Sequence, residues 1–413
     1  MQMEPGCCPT EIQICVSQAV KKERPTTAPK HNSNVDILRI IACLYVITIH
    51  IMSADIVDNV IDKQAILIHV IVADAVAIFF SITGFLAFRS QFQFGKALVK
   101  FIKKTAVPTI AVGLVSQVFY KWIMSSSWCF MEDSLSWPDI AAILNGIIQH
   151  TPKLWNNLCH IYWYVFDYAF ILLWFPVIAA VIKSKNGNKV LLSVVLWMFA
   201  TLMVKDLLLV LRSKGINYSV YTYLPVSVQL TFICMGYLLY CMINRITTKI
   251  PLTLCILLYS GLVALRYHLQ LDLYGWDTSK QTFVRYDGAL SLISVFALYL
   301  IIWKIKIRSQ VAARVLQWVA NHTFHIYLIH YMIVQKLQKT HVLDKIRELV
   351  IDRVPQGATA VYDLIVVVLV FSIALLFAAV IQGCAKNVSA WIKRNVLTRL
   401  DNSSTGIGEV MSR

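Results

Sequence analysis

Stretches of about 20 apolar residues recur from one end of this chain to the other, and that recurrence constrains its fold more than any other feature. They cover 37–52, 65–88, 106–124, 163–182, 190–204, 223–243, 252–269, 288–303, 315–334 and 361–383. A backbone crossing lipid has no water to bond to, so each crossing must be a helix or part of a closed barrel. Runs of this length without period-two alternation predict an all-α polytopic membrane protein with about ten transmembrane helices. Composition agrees. Of 413 residues, 58% are hydrophobic and only 15% charged, where a soluble chain carries about 25% charged residues. Mean hydropathy is +0.65.

The formal charge of +16 is spread between the apolar runs rather than gathered on one patch, which argues against a nucleic-acid partner. Its distribution gives an orientation. With both termini inside, the inner segments hold 23 Lys and Arg and the outer ones 13, so the positive-inside rule predicts cytoplasmic termini. Residues 1–34 are polar and basic with no apolar core, and read as a disordered cytoplasmic tail rather than a signal peptide. Residues 35–383 form the membrane domain, and 384–413 a second cytoplasmic tail. The ten cysteines show no metal-ligand spacing, and no metal is expected. Cys129 and Cys159, which bound the long outer loop, are the one pair placed to form a disulfide in an oxidising compartment. Tryptophans 128, 137 and 155 in that loop suit either a sugar-stacking surface or an interfacial belt. The outer segment 337–360, rich in charges of both signs, suggests a short solvated helix.

Several polar groups stand out because they sit inside apolar runs. Arg39 and His50 lie eleven residues apart in the first run, on one helical stripe and roughly 16 Å apart along the axis. A guanidinium at mid-membrane costs about 2.5–3.5 kcal/mol, so an intramembrane arginine and a titratable imidazole on one face mark a candidate functional site. The alternative is that both side chains reach to opposite surfaces. Asp36, one turn before Arg39, either holds the guanidinium or complements the helix dipole. Asp74 is a carboxylate in the second run, which either meets His50 at a similar depth or pairs with a backbone or hydroxyl donor. Tyr327 and His330 share a face of the ninth run, and His330 falls at a depth similar to His50. His322 and His325 are also three apart but lack further ligands. The inner loop carries Arg89, Lys96, Lys100, Lys103 and Lys104. Its lysines at i, i+3 and i+4 suit a phosphate-bearing ligand or simple positive-inside charge.

Four segments together resemble the acyltransferase type 3 family, and within it the surface-polysaccharide O-acetyltransferases. The first is the D-x-x-R-x10-H pattern of Asp36, Arg39 and His50. The second is FFSITGFL, residues 79–86, with Thr83 where serine is usual. The third is WYVFDYAFILLWFP, residues 163–176, and the fourth FHIYLIH, residues 324–330, where His325 replaces a small residue. The family's basic pair after the second helix is represented only by Lys100 and Lys103, followed by Lys104; lysine lacks arginine's bidentate fork.

The resemblance implies O-acyl transfer, of acetyl in particular, from cytoplasmic acetyl-CoA to a hydroxyl of a surface glycan or lipid-linked sugar. Acetyl-CoA would be a co-substrate, with no permanently bound cofactor, and the location a bacterial inner membrane. His50 would then be general base or acyl carrier, with Arg39 toward the cytoplasmic side where the donor's phosphates arrive and Asp36 holding its guanidinium. Lys100, Lys103, Lys104 and Arg89 would hold the donor. His330, Tyr327, Trp163, Tyr164 and Asp74 would line the path. A homo-oligomer stays open. The competing class is a transporter or flippase of a glycan or other polar solute, for which inverted repeats would be the signature.

Overall fold

The computed structural model describes residues 32–52, 63–127, 162–213, 227–274, 283–353 and 358–392. Among them the regular structure is helical throughout. The helices are α1 (Ser33–Met52), α2 (Lys63–Val72), α3 (Ala75–Ala87) and α4 (Phe94–Phe101), then a π-helical turn (Ile102–Ala106), then α5 (Val107–Val118) and α6 (Tyr120–Met124). They continue as α7 (Trp163–Leu172), α8 (Phe175–Lys183), α9 (Gly187–Ser213), α10 (Val228–Lys249), α11 (Leu252–Tyr274), α12 (Ala289–Lys304), α13 (Gln310–Lys339), α14 (Val342–Arg353) and α15 (Ala358–Ile392). The short helix expected in the charged segment after the ninth run is α14.

Among the described residues six spans are long and apolar enough to cross a bilayer (α1, α2 with α3, α9, α10, α11 and α15), or seven if α7 and α8 count as one bent span. The other expected runs are helical too, but fall short for visible reasons. Helix α12 has only 16 residues, α13 is polar for its 30, and 94–124 is interrupted by the π turn and a break at Phe119. The 45° bend between α7 and α8 comes at Pro176, in the first turn of α8, where a missing N–H and a bulky ring end the preceding ladder.

Contacts at the two ends fix the up-and-down order. At one end Asn34 Nδ2 donates to the Ile302 carbonyl (3.0 Å) and Trp303 Nε1 to Asn244 Oδ1 (2.8 Å). At the other, Lys336 Nζ donates to the carbonyls of Trp122 (2.6 Å) and Ser127 (2.5 Å), and Asp206 Oδ2 accepts from Ala289 N (2.9 Å). Side chains capping helix ends satisfy backbone groups that lipid would leave bare.

Helix α1 is the centre of the bundle, packed by α2, α3, α12, α13 and α15. The broadest packing joins α3 to α10. There the backbones touch through Gly84 and Gly236: a Cβ on the first would collide with the Ile233 carbonyl, and one on the second with that of Ser81. Small residues permit such close crossings, which is how helices associate where lipid removes the hydrophobic drive. The outward faces carry Phe170, Trp197, Leu257, Leu364 and Leu376, each 65–71% exposed. Apolar side chains so open belong against lipid tails.

Candidate active site

The site is built on α1 and α13, which lie side by side and run the same way. Cys43 Sγ on α1 donates to the Thr323 carbonyl on α13 at 3.7 Å. Seven residues further along each helix, about two turns, His50 and His330 meet with ring centroids 5.2 Å apart. The shared seven-residue step means that one register serves both contacts. Tyr331 places its ring against His50 edge-on, also at 5.2 Å. From His330 the aromatic rings continue through Tyr327 (6.0 Å) to Tyr164 on α7 (5.9 Å further), which packs on Phe80 (4.8 Å) and shares a hydrogen bond with Thr83. The structure thus brings His50, His330, Tyr327 and Tyr164 together from three helices far apart in the chain.

The hydrogen bonding of His330 fixes its tautomer. Nδ1 lies 2.7 Å from the Tyr327 carbonyl oxygen. A carbonyl only accepts, so Nδ1 carries the proton, and in the neutral ring Nε2 holds the lone pair. The residue is fully buried, and among the described residues Nε2 has no hydrogen-bond partner.

Arg39 lies toward the opposite end of α1. Its Nη1 forms an ion pair with Asp36 Oδ1 at 3.6 Å, and Tyr299 stands within electrostatic reach. Asp36 is almost fully buried, while the Arg39 side chain remains 31% exposed. Lys100 belongs to the same positive field: partial burial, then Lys104, then Arg39 hold its ammonium below the ordinary lysine range. Lys103 is exposed beside them. The π turn begins at Ile102, so Lys103 and Lys104 lie on a wider turn than the α-helix that carries Lys100, and Lys104 stays within electrostatic reach of Lys100. The guanidinium of Arg89 sits over the rings of Phe85 (5.7 Å) and Tyr240 (5.5 Å).

Two residues of the expected path have other partners. Asp74 forms a buried ion pair: Arg266 Nη1 donates to both its oxygens (2.9 and 3.0 Å), and Ser291 Oγ to Oδ1 (2.5 Å). Arg266 also donates to the carbonyls of Phe283 (3.0 Å) and Arg285 (3.2 Å). Depth along the axis suits His50, but the side chain points to Arg266 and to the Ser291 hydroxyl, a donor of the kind the second reading expected. Trp163 stacks on Tyr286 (6.3 Å, planes 11° apart), beside Gln229, whose amide donates to Asp167 (3.0 Å).

Sequence reasoning passed over Arg266 and Tyr331. Arg266 had a signal, since it is an intramembrane arginine by the same reasoning that singled out Arg39. Tyr331 had none, because a tyrosine in a helix is ordinarily packing. Among the described residues no group of three His, Cys, Asp or Glu is arranged to hold a metal. His322 Nδ1 instead donates to the Trp318 carbonyl (2.7 Å), and His325 Nδ1 accepts from Gln382 (3.0 Å). Cys129, Cys159 and the loop tryptophans lie outside the described residues, as do both tails apart from 32–34 and 384–392.

The arrangement has two chemical ends: a cationic mouth suited to phosphates, and deeper in, an imidazole pair suited to moving a proton or an acyl group. A family model described as an acyltransferase domain (acyltransferase type 3) matches residues 32–383. No curated protein and no solved structure matches the chain.

Proposed function

Because the chain belongs to this acyltransferase family, we propose that it transfers an acetyl group from acetyl-CoA to a hydroxyl of a surface glycan or a lipid-linked sugar. The donor arrives at the Arg39 end, taken as cytoplasmic, in a membrane of the bacterial inner-membrane type. Lys100, Lys103 and Lys104 with Arg39 receive its phosphates as point charges, and Asp36 orients the guanidinium. Arg89 extends this field. The roughly 16 Å from Arg39 to His50 is a distance that an extended pantetheine arm can cover.

The observation that carries the reading is the His50–His330 contact inside the bundle, on the same central helix as Arg39. His50 meets the thioester as general base or acyl carrier, since an imidazole works near neutral pH without strong tuning. Tyr327 and Tyr164 wall the path between the two ends. Trp163 and Tyr286, stacked on each other at 6.3 Å, offer the aromatic surface that a sugar ring takes. The chain needs no metal and no prosthetic group for this chemistry.

The test uses purified full-length protein in detergent, radiolabelled acetyl-CoA and a panel of glycans. Label transfer should appear with the native protein and fall by at least about 100-fold in His50→Ala, as for loss of a proton-transfer group. Undiminished transfer in that variant, with its folding intact, removes His50 from the mechanism.

A further inference from the structure

We infer that His330 is the base that receives the acceptor: its buried Nε2 takes the hydrogen bond of the incoming alcohol O–H and then its proton. The inference rests on the acyl-transfer reading above and adds to it a division of labour between the two histidines.

The argument starts from a polar atom without a partner. A buried acceptor left unbonded loses the hydrogen bond it had in water, so buried ring nitrogens are as a rule bonded. His330 bonds only one. Its Nδ1–H is spent on the Tyr327 carbonyl at 2.7 Å, which locks the ring and leaves the Nε2 lone pair unspent, with the His50 ring centred 5.2 Å away. A ring locked through Nδ1, with Nε2 bare, is the geometry of a general base oriented by a second group. The alternative, a donor to an oxyanion, fails on the same bond, because the neutral ring has no proton on Nε2 to give. A ligand matching this atom must bring a hydrogen-bond donor, and an alcohol is such a group. Tyr331 packs edge to face on His50 at 5.2 Å and holds that ring beside His330.

The step balances without a further co-reactant beyond the acyl thioester. The alcohol O–H bond breaks as an N–H bond forms at Nε2. The oxygen bonds to the acyl carbon, the C–S bond breaks, and the departing thiolate takes the proton back from the imidazolium. His50, on the helix that also carries Arg39, is left to act at the acyl group.

The test compares two acceptors that differ in their need for a base. Methyl glucoside is an alcohol and needs one; hydroxylamine is nucleophilic without first losing a proton, and its acetylation is read as the rate above the protein-free reaction. Both are offered with acetyl-CoA to the full-length protein and to His330→Gln, which keeps a polar side chain of similar reach but cannot take the proton. His330→Asn is the second variant if the first does not purify as a monodisperse species. The ratio of glucoside to hydroxylamine acetylation should fall by at least about 100-fold, the usual size of a general-base contribution. Equal losses on both acceptors, or a ratio changed by less than about tenfold, overturn the assignment. A native protein inert toward both acceptors overturns the acyl-transfer reading itself, and the role of His330 falls with it.

Discussion

Removing one member of the Asp74–Arg266 pair should damage this protein more than removing both. Arg266 is 1% exposed and Asp74 2%, and the guanidinium makes four hydrogen bonds, two of them to the carboxylate. The pair joins the break between α2 and α3 to α11, and Ser291 ties it to α12. Arg266→Met leaves the carboxylate without its cationic partner and with the Ser291 hydroxyl as hydrogen-bond donor, and Asp74→Asn leaves the guanidinium on two carbonyls with the Asp206 carboxylate within electrostatic reach. Breaking a buried pair on one side costs about 3–5 kcal/mol, because the remaining charge is uncompensated. Replacing both ions by apolar groups of similar volume is often close to neutral. At about 2–4 °C per kcal/mol for a domain of this order of size, each single variant should lose roughly 10 °C of midpoint. The double variant Asp74→Leu, Arg266→Met should regain most of that. Fluorescence-detected thermal unfolding of the four detergent-solubilised proteins closes the cycle, with an expected coupling of about 3 kcal/mol. Additive losses, or single variants within about 1 kcal/mol of the native protein, refute the argument that the pair is held as a dry ionic unit.

Gly84→Ala and Gly236→Ala should each split α3 from α10, since the new Cβ meets backbone rather than a yielding side chain, at a cost of about 1–3 kcal/mol or more. Gly261→Ala, with open space at its Cβ, is the control and should leave the size-exclusion profile unchanged. Lys104→Met removes one of the two cations that hold Lys100 down. In the native protein Lys100 loses its charge earlier than an ordinary lysine as pH rises, so donor affinity should weaken on the alkaline side. In Lys104→Met that limb should move to higher pH while KM for acetyl-CoA rises and its salt dependence flattens, all readable from KM against pH and ionic strength. An alkaline limb that stays where it was separates Lys100 from donor binding.

The amino-acid sequence alone set the class of fold, because lipid leaves a long apolar run little choice but to be a helix. It also placed Arg39 and His50 on one stripe, since the 3.6-residue period is a local property of a single helix. The register of lysines 100, 103 and 104 was less legible: five residues of π-helix changed it, and no local rule announced them. Which helices touch was decided only by tertiary packing. The Gly84–Gly236 crossing needs two sites 152 positions apart to be small at once, and neither reveals the other. Asp74 and Arg266 are each visible as costly ions in lipid, yet only the direction of their side chains makes them a pair rather than partners of His50. The meeting of His50 with His330 depends on α1 and α13 lying parallel in one register, an outcome of shape complementarity over whole helix faces. Periodicity fixes where a group sits along its own axis; only packing fixes what it faces.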